Sequence, residues 1–319
     1  MSLSRRQLIR NSVITAAYLP FLGCGSNTAG EPGTEVGGDV DNDETMASSL
    51  PYLETIGLQL WSVRDQLERD PRITLQTLAE MGYRQVELMD TTSAAELVPI
   101  AREYGLAVNS SFINWNTITG GWQYMPNPDD KMEFAEVIDQ AGEAGLSHLI
   151  FGYLNPQERE TADQWKAIAD QGNEAARVAQ ENGLQMAYHN HNFEWDPVEG
   201  TTGWAILEER FDPELMPFEL DVFWAQIAGQ DPRPIMARNA ERIELLHLKQ
   251  LKPGTPVVTR LADVPPDAFE ELPQGNIPIK DLMRYGQNLG VRYCMVEQDG
   301  NYEGSSLASV RQSLEFLAG

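Results

Sequence analysis

Three of the chain's four histidines, His189, His191 and His247, sit where apolar runs give way to polar residues, in "LQMAYHNHNFEW" and "IELLHLKQ". Carboxylates take the matching places in other apolar runs. Glu87 and Asp90 close "QVELMD", Glu219 and Asp221 lie inside "MPFELDVFW", and Glu297 and Asp299 fall in "YCMVEQD". A strand buried on both faces loses free energy for every polar side chain it carries, unless that group is paired or binds something. Imidazoles and carboxylates meeting at one place suit a single divalent transition ion such as manganese, cobalt, zinc or iron. Magnesium prefers more oxygen ligands. Each residue alone has a plainer use: His247 as a satisfied core histidine, Asp221 as the cap of the helix "FWAQIAG", Glu297 as an ion-pair partner. Recurrence at three consecutive strand ends is what favours the metal.

The elements that must position these groups alternate from residue 55 onward. Short apolar runs ("IGLQL", "QVELM", "LAVNSSF", "HLIFGY", "LQMAYH", "MPFELDV", "IELLHLK", "YCMVEQD") are separated by segments with helical period, such as "ITLQTLAEMG" and "WKAIADQGNEAARVAQENG". Gly82, Gly105, Gly145, Gly183 and Gly290 stand where a helix C-terminus needs a residue at positive φ. Each is followed within a few residues by the next apolar run, which is the punctuation of parallel strands joined by helices. Eight strands in about 265 residues predict a single-domain α/β protein, a closed (β/α)8 barrel over residues 53–319. The rival is an open doubly wound sheet, which the lack of a GxGxxG after the first strand disfavours. In such a barrel the reactive groups gather at the C-terminal strand ends, where His189, Asp221, His247 and Glu297 are expected.

The 319 residues carry 23 Lys and Arg against 48 Asp and Glu, a formal charge of −25. Such a surface repels nucleic-acid phosphates and anionic lipid headgroups. Residues 1–24 read as an export signal: Arg5 and Arg6 precede a short apolar run, in the manner of twin-arginine signals, and "FLGC" resembles a lipoprotein cleavage box with Cys24 as the lipidated residue. Residues 25–52, rich in Gly, Ser, Thr and acids, read as a flexible acidic linker. These features predict an exported protein, periplasmic or membrane-anchored. Cys294, in an apolar run, reads as a small core residue.

The motifs "IGLQLWSVRDQL", "YHNHNFEW", "FELDVFWA", "LLHLKQ" and "VEQD" resemble the sugar phosphate isomerase/epimerase group of the xylose isomerase-like TIM barrels, over about residues 55–318. The resemblance implies one divalent metal held by Glu, Asp, His and Glu from strands five to eight. The last three fall on Asp221, His247 and Glu297. The first falls on His189, a departure from the family's glutamate, with Glu194 as the alternative ligand or a group that grips sugar hydroxyls. A metal-bound imidazole is a poor base, so epimerisation by two metal-bound glutamates is disfavoured. Elimination needs one base and one acid. Glu297 is the expected base, His191 the expected acid, and Lys249 a donor to an oxyanion.

Aromatic residues suit a carbohydrate site: Trp61, Phe112, Trp115, Trp122, Phe151, Tyr153, Phe193 and Trp224 fall near the same rim. Trp115, Trp224, Glu87 and Glu194 are the expected substrate contacts. "NWNTITGGWQYMPNPDD" reads as a covering loop and residues 250–278 as an ordered excursion over the rim. The expected function is metal-dependent chemistry on a sugar or cyclitol, with elimination or hydration of a 3-keto sugar ahead of isomerisation or epimerisation. The alternative of another class is a non-catalytic sugar-binding lipoprotein. A nuclease is disfavoured by the charge and by the small number of histidines.

Overall fold

Local signals set the helix ends. Asp70 accepts the amide of Ile73 at the start of α1 (Pro71–Met81), with Pro71 in the first turn, and Gly82 closes that helix at φ 118°. In α4 (Ala162–Glu181), Thr161 and Gln164 form a reciprocal capping box. Its buried positions, Trp165, Ile168, Ala169, Gly172, Ala175, Ala176 and Ala179, recur at helical spacing and make one stripe against the barrel. Between these helices lie α2 (Ala94–Glu103) and α3 (Phe134–Ala144). After α4 come α5 (Gly203–Arg210), α6 (Pro232–Arg238), α7 (Ile279–Asn288) and α8 (Ser306–Ala318).

The structure, a computed structural model, describes residues 50–125 and 131–319. The expected signal with Arg5, Arg6 and Cys24, nearly all of the expected linker, and residues 126–130 of the expected covering loop lie outside the described residues. One boundary moves. Leu50 and Pro51 are buried and the Tyr52 hydroxyl donates to the carbonyl of Val291 at 2.8 Å, so the last residues assigned to the linker belong to the folded unit.

Eight parallel strands close on themselves: β1 (Gly57–Gln59), β2 (Gln85–Leu88), β3 (Ala107–Phe112), β4 (His148–Phe151), β5 (Gln185–His189), β6 (Phe218–Asp221), β7 (Ile243–Leu248) and β8 (Tyr293–Val296). Every strand pairs with its sequence neighbours, and β8 pairs with β1 through Gly57 opposite Met295. Closure excludes the open-sheet rival. The main core lies between the outer face of the strands and the helices, and takes in Cys294, which is buried and unpaired.

Ile150, Ala187 and Leu245 form a separate small cluster, flanked by Phe112 and Tyr293. This is an apolar plug inside the barrel. Side chains on a strand alternate faces, so the residues two steps beyond the plug, Gly152, His189 and His247, follow on the same face toward the C-terminal rim. The period of the strands thereby delivers two histidines to the barrel mouth.

Two ribbons decorate that end. Pro197–Val198 pairs with Thr201–Thr202, and Gln250–Leu251 pairs antiparallel with Phe269–Glu270. The second ribbon ties down the excursion expected at 250–278. Gln250 reinforces it: its amide donates to the carbonyls of Leu272 and Ile277, and its oxygen accepts from the Ile277 amide.

Candidate metal and substrate site

His189, Asp221 and His247 bring ligand atoms within 4.8 Å of one another, all buried. Asp221 Oδ2 lies 3.9 Å from His189 Nε2 and 3.9 Å from His247 Nδ1. Glu297 Oε2 joins them, 2.8 Å from His247 Nδ1. These are the four residues expected from the strand ends. Glu194, the alternative ligand, turns elsewhere. It is fully buried, accepts the Tyr188 hydroxyl at 2.7 Å and the His191 amide at 3.0 Å, and does not line the cavity. It fixes the turn after β5.

The far nitrogen of each histidine is also engaged. His189 Nδ1 meets Glu219 Oε2 at 3.0 Å, and His247 Nε2 meets Glu87 Oε1 at 2.8 Å and Glu219 Oε2 at 3.2 Å. Carboxylates behind metal-binding histidines fix the tautomer and raise the basicity of the inward nitrogen. Glu87 was expected to touch substrate. It lies instead behind His247, fully buried, held by Gln59 Nε2 at 2.8 Å and by the Ser110 hydroxyl, and it does not reach the cavity. Asn190 ties the two ligand strands together: its amide oxygen accepts the Asp221 N–H at 3.0 Å and its nitrogen donates to the Asp221 carbonyl at 3.2 Å.

Lys249, two residues past His247, is buried among three carboxylates. Its Nζ stands 3.1 Å from Asp221 Oδ2, 2.8 Å from Glu297 Oε2 and 3.0 Å from Asp299 Oδ2. Burial alone would lower the Lys249 pKa, but Asp221, Asp299 and Glu297 outweigh it and hold the ammonium well above its ordinary range. Burial raises Glu297 in the same way, yet Lys249 and His247 carry it below the usual carboxylate range, so it is ionised. His189 is driven well below the usual imidazole value by burial, then by His247, His191 and Lys249. A neutral imidazole is the form that binds a metal. Burial pushes Asp299 up to about 7.

The donor set fits a divalent ion. His189, Asp221 and His247 converge, Glu297 stands beside His247 Nδ1, and the outer nitrogens of both histidines are held by buried carboxylates. His189, Asp221, His247 and Glu297 would hold the ion. Replacing Glu219 with Gln is expected to weaken divalent-metal binding by about 10–100-fold, the usual cost of losing such a backing group. Metal titration of the purified variant checks this, and unchanged affinity would count against the arrangement.

Gly152 supports His189 from β4. A Cβ built there would stand 2.1 Å from the His189 carbonyl oxygen and 2.9 Å from its Cβ. The obstacle is backbone and cannot swing aside. Gly152→Ala is therefore expected to displace His189, cost about 1–3 kcal/mol of stability and lower metal affinity at least tenfold. A thermal melt and a metal titration read the two effects separately.

A cavity of about 430 Å3 opens over the cluster, lined among others by Gln59, Trp61, Trp115, Tyr153, His191 and Trp224. Trp115 and Trp224 thus lie where expected, as do Trp61, Phe112 and Tyr153. Three of the expected aromatics do not line it. Phe151 stacks beneath Trp115 at 5.1 Å and Phe193 stacks on His191 at 5.2 Å, both as support, and Trp122 sits outside. Gln59 and Asp299 were not among the expected contacts, although "GLQL" and "VEQD" end strands one and eight and so held the signal. Among the described residues Lys249 is the one Lys or Arg lining the cavity, beside Asp90, Glu297 and Asp299.

Residues 75–318 match the xylose isomerase-like TIM barrel family. Inosose dehydratase of Geobacillus kaustophilus is 26% identical over 192 residues, covering 56% of this chain and 61% of that protein. Inosose dehydratase of Bacillus anthracis is 30% identical over 92 residues, covering 29% of this chain and 30% of that one. The chain thus spans less than two thirds of these relatives. Among solved structures, a sugar phosphate isomerase/epimerase from Parabacteroides distasonis superposes with TM-score 0.64 at 22% identity, covering 86% of this chain and 96% of that one. The IOLI protein with a bound zinc atom superposes with TM-score 0.61 at 12% identity, covering 82% and 95%. The chain belongs to the xylose isomerase-like TIM barrel family.

Proposed function

We propose that this xylose isomerase-like barrel is a metal-dependent enzyme acting on a keto sugar or keto cyclitol. It removes a proton beside the carbonyl and expels an oxygen substituent from the next carbon. The observation that carries the reading is the double backing of the ligand histidines: Glu219 behind His189, Glu87 behind His247, with the inward nitrogens aimed at Asp221 and Glu297. Purely structural histidines have no need of such an arrangement.

When bound, a divalent ion here would polarise the substrate carbonyl. The remaining work falls to side chains. Glu297, held ionised, accepts the proton from carbon. Lys249, held protonated, donates a hydrogen bond to the oxygen on which charge develops. His191 lines the cavity, but burial, then the Lys249 charge, pushes it down to about 3, so the residue expected as the acid is held neutral and has no proton to spare; the leaving oxygen takes up the proton that Glu297 removed from carbon. The broken C–H bond supplies the electrons of the new C=C bond, the C–O bond breaks, and the proton lost from carbon balances the one the leaving oxygen gains. No redox partner is needed. Trp61, Trp115 and Trp224 offer faces to a sugar ring. The inosose dehydratases among the relatives support the same class of reaction.

The test is a metal analysis of the native protein followed by incubation with 3-keto glucosides, a keto-inositol and ordinary ketoses. About one ion per chain and conversion of a keto substrate to a conjugated enone are expected. Interconversion of ketoses without elimination would make it an isomerase or epimerase. Metal-free protein that binds sugars unchanged would make it a binding protein.

A further inference from the structure

The cavity wall has two unlike parts. One carries the ionised and hydrogen-bonding groups. The other comes from a single piece of chain, the excursion at residues 250–278, which contributes Leu261, Val264, Pro265, Pro266 and Phe269. All five are apolar. None of the charged residues at 250–278, Lys252, Arg260, Asp263, Asp267, Glu270 and Glu271, lines the cavity. A segment with charges available, none of them turned inward, presents a surface for hydrocarbon and not for hydroxyls.

This wall is fastened in place. The Phe269–Glu270 ribbon fixes one end, and Phe269 stacks on Phe223 at 4.5 Å. Farther along, the Val258 amide donates to the Ile227 carbonyl at 2.9 Å, Asn192 Nδ2 donates to the Val258 carbonyl at 3.1 Å, and the Thr259 hydroxyl donates to Asp196 at 2.7 Å. A pre-set apolar wall gives affinity without an ordering cost at binding. The volume, about 430 Å3, lies in the range of roughly 300–1,000 Å3 that takes drug-sized ligands and exceeds what one sugar ring fills. Among the described residues no Lys or Arg other than Lys249 lines the cavity, and Lys249 lies toward the ion site among three carboxylates, so no cation stands at the apolar wall for a phosphate or carboxylate on the substituent.

Resting on the reading above, we infer that the substrate is an uncharged glycoside whose non-sugar substituent is apolar, an aryl group before a second sugar, seated against the 261–269 wall. The departing oxygen is then the one that bears that substituent.

The metal-loaded protein is titrated calorimetrically with phenyl and methyl glucosides of both anomeric forms, unoxidised so that they are not consumed. The phenyl ligand is expected to bind at least about tenfold more tightly, the scale of burying one aromatic ring. Leu261→Ser should cut that advantage by about threefold or more and leave the methyl glucoside within about twofold of wild type. Val264→Thr, which keeps the shape and adds a hydroxyl, should act in the same direction and guards against misfolding of the first variant. Equal affinity for phenyl and methyl ligands, or an equal loss of both in the variants, overturns the inference while the sugar reading stands. Failure of every glucoside to bind overturns the inference as well, while the keto-sugar reading stands or falls on turnover of the oxidised substrates.

Discussion

His247→Ala should leave the purified protein with less than about one tenth of the metal that wild type retains, and with no measurable turnover. Both nitrogens of His247 lie within hydrogen-bond distance of carboxylates, Glu297 on one side and Glu87 with Glu219 on the other. Burial opposes its charge, but Glu219, Glu297 and Glu87 outweigh burial and keep its pKa well above the ordinary imidazole value in the metal-free chain. Its removal strands Glu87 and Glu219 in the barrel interior. Breaking a buried charge network costs about 3–5 kcal/mol, on the order of 10 °C in melting temperature for a domain of this size. His247→Asn, which restores a hydrogen-bonding group, should recover part of the stability and none of the metal. Elemental analysis and calorimetry together decide; wild-type metal content in either variant would refute the ligand assignment.

Lys249→Met separates two ways of neutralising the same carboxylates. In wild type the ammonium faces Asp221, Glu297 and Asp299 at 3.1, 2.8 and 3.0 Å. Methionine keeps much of the stem and removes the charge. The metal-free variant should then lose about 3–5 kcal/mol, since two buried carboxylates, Asp221 and Glu297, and the partly buried Asp299 lose their cation. A divalent ion should restore more stability to this variant than to wild type. An ion at about 100 times its dissociation constant contributes about 2.7 kcal/mol to any protein that binds it only when folded; the excess in the variant measures the charge that Lys249 had been supplying. Equal metal-induced shifts in melting temperature would mean that Lys249 and the ion do not share ligands. Turnover should fall in the variant even when loaded, because the donor to the developing oxyanion is gone.

The parts of the site that could be read from the sequence follow from one rule. A polar residue placed two steps beyond an inward apolar residue has to point into the barrel mouth, and His189 after Ala187 and His247 after Leu245 obey it. Asp221 and Glu297 were legible for the same reason, at the ends of apolar runs. What the rule cannot supply is depth. Glu87 stands at a strand end like the others, yet it meets the far side of His247 from across the barrel, a relation that depends on the stagger of β2 against β7. Glu194 misled because a short turn folds it back onto Tyr188, and nothing in "HNFEW" shows that reversal. Glu219 was visible only as a neighbour of Asp221; its place behind His189 needed the register of β5 against β6, where His189 lies opposite Glu219. The excursion was recognised by its prolines and its missing period, but which of its side chains face inward was not written in that pattern.

The division of labour around the mouth has an evolutionary corollary. The residues proposed to hold the ion come from four separate strand ends, so a single insertion or deletion could not remodel them all without disturbing the barrel. The hydrocarbon wall comes from one uninterrupted stretch between residues 250 and 278, anchored at its own short ribbon. Selection can therefore rewrite the second while conserving the first, and a laboratory chimera that exchanges only this cassette should trade preference among leaving groups while inheriting the reaction intact.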